Sequence, residues 1–177
     1  MLLDLVEKRR SIRKFTDEKV SEEDLKEILT IALHAPTAKN RNPVRYIVIR
    51  DKKRLEDLSN FKINSAKFLA GADVAIAIVT DSEIAPNTNH QDASIAATYI
   101  LLAAADLDFG ATWANVTDSK HESGISAQEF LHKFFDLEDK FDVECIIGLG
   151  HPAEEKSEKV PFDYSENVFE DLHDKLK

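Results

Sequence analysis

Residues 72–80 constrain the fold more than any other stretch of the chain, because they form an almost continuous apolar run. A strand with one face in solvent would alternate polar and apolar residues, whereas a continuous apolar strand is covered on both faces. Residues 46–49 predict a second strand, and residues 111–116 and 143–149 predict two more. The sequence therefore favours a layered arrangement in which helices cover a sheet.

Apolar periodicity predicts the helices. A capping sequence at residues 21–24 precedes apolar side chains at helical spacing, and Pro36 should follow the end of that helix. Shorter helices are predicted ahead of Arg9 and at 53–59, 64–70 and 127–135. Residues 90–107 predict a long helix that is apolar on most sides, so it must be buried within a domain or between subunits. In a chain of 177 residues we favour a subunit interface.

Charge and composition exclude several classes of partner. The net charge of −10 argues against nucleic acid and against an anionic membrane surface. The longest apolar stretch, residues 93–107, is too short to cross a bilayer. The single cysteine, Cys145, allows no disulfide within the chain, which fits a reducing compartment. We therefore expect a cytoplasmic protein that binds neither nucleic acid nor membrane.

Familiar catalytic and metal-binding motifs are missing from the sequence. The five glycines cannot form a GxGxxG or Walker loop, and the six histidines are scattered without metal-ligand spacing. No nucleophile elbow, HExxH or CxxC motif occurs. We therefore predict no metal site and no catalytic side chain.

Two polar segments suggest a phosphate-bearing cofactor instead. Residues 9–13 read RRSIR, and residues 36–43 read PTAKNRNP. Guanidinium groups bind phosphate oxygens bidentately, and a serine between them adds a neutral donor. FMN is the natural candidate for such a site in a glycine-poor chain. The alternative is that these cations are solvated and complement a helix macrodipole.

Five motifs, in the same order and spacing, resemble the nitroreductase family. They are RRSIRKF, APTAKNRNP, QDASIAATY, GATW and GLGHPAE, and the resemblance spans roughly residues 3–159. It implies an α+β fold with a mixed sheet flanked by helices, and an intertwined homodimer with FMN sites at its interface. Residues 1–177 would form a single flavin-binding domain, in which residues from about 156 to 177 form a C-terminal arm or helix.

The resemblance also implies which residues bind the phosphate end of FMN. Arg9, Ser11 and Arg13 would hold the phosphate and ribityl chain, and Arg10 would contribute alongside. Lys156 or Lys159 would complete this cluster. A loop from the partner subunit would approach the same flavin with Pro36, Thr37 and Asn40.

Two further segments would lie along the flavin ring. Asn64 and Lys67 would reach its pyrimidine edge, where a fixed cation favours the reduced form because reduction places negative charge near N1 and O2. The strand end near N5 would consist of Trp113, Ala114, Asn115 and Val116. The alternatives are an ordinary exposed helix face for Asn64 and Lys67, and a core aromatic for Trp113.

The chain departs from the family pattern at several positions, notably Ala38 in place of a serine and Val116 in place of a glycine. The implied function is an FMN-dependent oxidoreductase that takes hydride from NADH or NADPH at flavin N5. It would then reduce a nitroaromatic, quinone or flavin acceptor in a second half-reaction. The alternatives are a flavin-binding sensor or store without turnover, and a dimeric interaction module that has lost the flavin.

Overall fold

The computed structural model describes residues 1–160 and 162–170. Its helices and strands follow the predicted order, with boundaries shifted by a few residues. The elements are α1 (Leu2–Lys8), α2 (Glu22–Leu33), β1 (Val44–Ile49), α3 (Lys52–Leu58), β2 (Val74–Asp81), α4 (Asn89–Asp106), β3 (Gly110–Asn115), α5 (Ala127–Phe135), β4 (Phe141–Gly150) and α6 (Tyr164–Asn167).

The four strands form one sheet in the order β1-β2-β4-β3, and every neighbouring pair is antiparallel. The resemblance implied a mixed sheet; in the described residues the parallel contribution is a single bridge between Ser11 and Ala111. Ser11 belongs to a segment that lies along the free edge of β3. The sheet topology therefore places residues close to the N-terminus beside the strand that ends at Asn115.

Each face of the sheet has its own apolar cluster. Ile76 and Ile78 of β2 pack with α2 and α4, whereas Ala75 and Ala77 pack with α3 and α5 on the other face. All eight residues of β2 are buried. The prediction that residues 72–80 are covered on both faces is therefore confirmed.

Helix α4 packs against α2 and against all four strands. Alanines at many of its positions let it lie close to the sheet, and its buried face continues to Ala105. Ile95 nevertheless remains 37% exposed on this helix. Among the described residues, no helix has both the length and the apolar character needed to cross a bilayer.

The segment 64–70 differs from its prediction. Residues 61–65 form bends, and a short 3-10 helix covers Lys67–Gly71. Ser65 has a left-handed φ of 62°, which a continuous α-helix cannot include. Asn64 and Lys67 therefore do not share an α-helical face.

The predicted C-terminal arm or helix covers residues from about 156 to 177. Of these, residues 161 and 171–177 lie outside the part of the chain that the structure describes. Within its described part, α6 is a single turn whose side chains are exposed.

Candidate functional site

The segment 9–16 is held between β3 and the residues that follow β4. On the β3 side, the amide of Ile12 donates to the carbonyl of Ala111 at 3.2 Å. The carbonyl of Ile12 accepts from Thr112 Oγ1 at 2.5 Å. The fit is close, because a Cβ added to Gly110 would lie 2.7 Å from Ile12 Cγ2. Glycine at position 110 is therefore required by the approach of this segment.

The other side of the segment is fixed by the residues after β4. The amide of Thr16 donates to the carbonyl of His151 at 2.9 Å, and the amide of Ala153 donates to the carbonyl of Lys14 at the same distance. Phe15 and Pro152 form an antiparallel bridge. The backbone that carries the predicted phosphate-binding residues is thus anchored on both sides.

Positive side chains converge where this segment begins. Arg9, Arg10 and Lys156 line a cavity of about 320 Å³, whose lining also includes the acids Asp108, Glu154 and Glu155. The Nη1 atom of Arg10 is buried and has no hydrogen-bond partner among the residues that the structure describes. Lys159 donates to the carbonyl of Val6 at 2.5 Å. Burial lowers the pKa of Lys159, and the neighbouring guanidinium groups of Arg9 and Arg10 lower it further. The arrangement suits an anion.

Glu154 organises this cluster, and sequence reasoning did not single it out. Its Oε1 atom accepts from the amides of Arg13 at 2.6 Å and Lys14 at 3.3 Å. Its Oε2 atom accepts from Lys156 Nζ at 2.6 Å. The hydrogen bonds from Lys156 and from the Arg13 amide lower the pKa of Glu154 to about 2. Glu154 is the last residue of GLGHPAE, the fifth motif, and that position is the sequence feature that could have identified it.

A second cavity, of about 520 Å³, adjoins the first through Glu154 and Lys156. Arg13 and Lys67 line it together, so the structure brings Lys67 to the cationic cluster. The Nζ atom of Lys67 donates to Asn60 Oδ1. Asn64 lies in the exposed bend before Lys67 and does not line this cavity.

The end of β3 has its side chains divided between the two faces of the sheet. Trp113 is half-buried against the α2 and α4 cluster, while Ala114 and Val116 belong to the opposite cluster. Asn115 is exposed and donates from Nδ2 to the carbonyl of Thr117 at 2.7 Å. Val116 is 3% exposed and has no positive φ, so its backbone conformation does not require the glycine of the family pattern.

The loop that carries Pro36, Thr37 and Asn40 lies elsewhere on the chain. These residues line a cavity of about 490 Å³ that shares no lining residue with the two cationic cavities. Tyr46 lies in this cavity and donates to the carbonyl of Ala32 at 3.1 Å. Burial raises the pKa of Tyr46 to about 12. Within one chain, the structure does not bring this loop to the cationic cluster.

Asp92 fixes the position of this loop and was also missed from the sequence. It is buried in the first turn of α4, and its Oδ1 atom accepts from the amide of Ala38 at 2.9 Å. Lys39, Asn40 and Asn42 all have left-handed φ values. Such a backbone is compact and depends on anchors of this kind. Its position in QDASIAATY, the third of the five motifs, is the sequence feature that could have identified it.

Comparisons with known proteins agree on one family. The model of the Nitroreductase family matches residues 6–67 and 56–151. A candidate NADH dehydrogenase/NAD(P)H nitroreductase from Methanothermobacter thermautotrophicus is 34% identical over 164 residues, which cover 92% of this chain and 83% of the relative.

Solved structures show the same fold. An FMN-dependent nitroreductase from Clostridium difficile is 36% identical, with a TM-score of 0.91 over 96% of this chain and 99% of the other. A candidate nitroreductase from Desulfovibrio desulfuricans, solved in complex with FMN, is 30% identical, with a TM-score of 0.78 over 97% of each chain.

Proposed function

Because the chain belongs to the nitroreductase family, we propose that it is an FMN-dependent oxidoreductase that uses NADH or NADPH. The acceptor in this proposal is a small molecule such as a nitroaromatic, a quinone or a free flavin. Donor and acceptor would bind in turn, in two half-reactions. Relatives named for FMN and NAD(P)H support the cofactor and the donor.

The buried Nη1 atom of Arg10 is the observation that carries the proposal. A guanidinium nitrogen that is buried and unpaired among the described residues has lost its hydration, and an anion bound in the adjoining cavity would offset that loss. Arg9 and Lys156 line the same cavity, so a phosphate there would meet several donors at once. The residues present therefore fit the phosphate of FMN, which Arg9, Arg10, Ser11 and Arg13 would hold, with Lys156 or Lys159 alongside.

The ring of the flavin would extend towards Lys67 and the end of β3. Lys67 lies in the cavity adjoining the phosphate site, which suits a cation at the pyrimidine edge. Residues 113–116 would supply the backbone that faces N5, and Asn64 would need to turn inward from its exposed bend. Bound FMN supplies the hydride chemistry, so the side chains need only bind, orient and exclude water.

The proposed assembly is a homodimer. Pro36, Thr37 and Asn40 do not reach the cationic cluster of their own chain, so a second copy would have to supply them. Exposed apolar side chains offer the surface for that contact, at Leu2, Leu3 and Val6 of α1 and at Ile95 of α4. Exposed apolar side chains that lie on one surface commonly mark a protein–protein interface.

Titration of the purified protein with FMN, followed by anaerobic addition of NADH or NADPH, tests the proposal. We expect stoichiometric FMN binding and bleaching of the flavin absorbance by one of the two nicotinamides. Added nitroaromatic or quinone should then restore the oxidised spectrum. A protein that takes up no FMN would overturn the proposal and favour the interaction module, and bound FMN that neither nicotinamide reduces would favour the sensor or store.

A further inference from the structure

Lys62 is a buried lysine that the proposed function leaves without a role. It is 8% exposed, and its Nζ atom donates to the backbone carbonyl of Asn115 at 2.9 Å. The same atom lies 5.4 Å from the centroid of the Phe61 ring. Burial lowers the pKa of Lys62. An ammonium group is costly to remove from water. A buried ammonium that donates to one carbonyl among the described residues therefore calls for a functional explanation.

The carbonyl of Asn115 ends the strand that faces the proposed ring site. It accepts a second hydrogen bond, at 3.3 Å, from Ser119 Oγ. The residues beyond it turn sharply, with a left-handed φ of 56° at Asp118. Apart from Lys62, Ser119 is the one residue whose side chain donates to this carbonyl within the described part of the chain.

A backbone hydrogen bond reinforces the contact made by Lys62. The amide of Ile63, the next residue, donates to the carbonyl of Lys120 at 2.9 Å. The bend at residues 61–65 is thereby joined at two points to residues 115–120. Asn64 lies in this bend and Lys67 begins the 3-10 helix after it; both residues are proposed for the pyrimidine edge of the flavin.

We propose that Lys62 is a positioning residue, which holds the end of β3 at a fixed spacing from the segment 61–67, on which Asn64 and Lys67 lie. The inference rests on the proposed function, in which one of these segments would contact the pyrimidine edge of the flavin and the other would face N5. Lys62 would set the position of the ring relative to the hydride donor without touching the reacting atoms. Transfer rates are sensitive to displacements of this kind.

Lys62→Met tests the proposal, since it keeps the length of the side chain and removes the donor. In the flavin-free protein, we expect amides in residues 115–120 to exchange with solvent about tenfold faster, or more, because a charged hydrogen bond is lost. With FMN bound, we expect reduction by saturating NADH or NADPH to slow by about 10- to 100-fold. Retention of FMN is expected, because the phosphate cluster is unchanged.

Two variants serve as controls. Lys120→Met makes the same chemical change on an exposed side chain and keeps the carbonyl that accepts from Ile63, so it should behave like the wild type. Lys62→Arg restores a charged donor and should recover most of the rate. If Lys62→Met does not fold, Lys62→Gln carries the same measurements without the ammonium.

The two readouts separate the inference from the function on which it rests. A wild-type protein that binds no FMN would overturn the proposed function, and the exchange measurement would still decide whether Lys62 restrains the strand end. A Lys62→Met protein with wild-type exchange and a wild-type rate of flavin reduction would overturn the positioning role.

Discussion

Single side chains organise the cationic cleft through contacts with distant backbone groups. Glu154 holds the amides of Arg13 and Lys14 together with the ammonium of Lys156. An acid in a phosphate site is at first sight repulsive towards the ligand. Here it aligns the backbone and the cations around it, so that the guanidinium groups do not have to find their positions when the ligand arrives.

The lowered pKa of Glu154 predicts a pH dependence of stability. The pKa falls from 4.5 to about 2 in the folded state, so the unfolded chain binds the proton more readily. The stabilisation is complete above pH 4.5 and is lost as the pH falls towards 2. We expect Glu154→Gln to remove this part of the acid sensitivity, as measured by urea denaturation across that interval. Glu155→Gln is the control, and equal pH profiles for wild type and Glu154→Gln would contradict the prediction.

Arg10 provides the direct test of the anion site. Replacing it with Met removes the orphaned donor and keeps the aliphatic stem. Loss of a hydrogen bond to a charged group costs about 1.5 to 3 kcal/mol, so we expect FMN affinity to fall by about 10- to 150-fold in fluorescence titrations. Arg54→Met, on α3 beside Phe134, should leave the affinity unchanged. Undiminished affinity in Arg10→Met would place the phosphate elsewhere.

At the scale of elements, the close approach of segment 9–16 to β3 sets the shape of the cleft. A Cβ at position 110 would lie 2.7 Å from Cγ2 and 2.8 Å from Cβ of Ile12. Ile12 is β-branched and buried, so it cannot move aside without moving its backbone. The position of the cations thus depends on the absence of a side chain at Gly110 in the neighbouring strand.

Gly110→Ala should therefore destabilise the protein by about 1 to 3 kcal/mol, as overpacking does elsewhere. Chemical denaturation measures this change. Gly71→Ala is a matched control, because an added Cβ there meets nothing within 4 Å. We expect its effect to stay within about 0.5 kcal/mol. Equal stabilities for the two variants would contradict the prediction, because they would mean that segment 9–16 can move away from β3 at little cost in free energy.

Local patterns predicted the elements well and the site in part. Apolar periodicity identified α2 and α5, the capping sequence at 21–24 marked the start of α2, and the continuous apolar run identified β2. The prediction of a helix over 64–70 was wrong at its start, because the left-handed φ at Ser65 has no signal in that residue type. The cations were identified from the sequence. The roles of Glu154, Asp92 and Lys62 were missed, because each side chain binds a backbone group more than 50 positions away, and a backbone group carries no residue-specific signal.

At the scale of the whole molecule, the chain separates the parts of its proposed site. The cationic cleft and the loop of Pro36, Thr37 and Asn40 line different cavities, and exposed apolar residues on α1 and α4 offer a contact surface. A second copy of the chain would resolve both observations at once. The homodimer is therefore part of the functional proposal and can be tested by itself.

Ile95→Glu tests the dimer, because Ile95 is an exposed apolar residue of α4. An unpaired carboxylate buried at an interface costs about 3 to 5 kcal/mol, so the dissociation constant should rise by about 100-fold or more. Sedimentation at micromolar concentration should give a dimer for the wild type and a monomer for the variant. Lys53→Glu, on the opposite face of the sheet, should remain dimeric. A monomeric wild type would contradict the proposed assembly.

The contact between Arg13 and Glu154 joins positions 141 residues apart, and Thr16 and Phe15 meet His151 and Pro152. During translation, the first wall of the cleft leaves the ribosome long before the second exists. A nascent polypeptide that stops short of residue 150 has the guanidinium groups but lacks His151, Pro152 and Glu154, which hold their segment in place. Cofactor binding must therefore follow synthesis of the last strand. A truncated product would carry the cations and would not bind the cofactor.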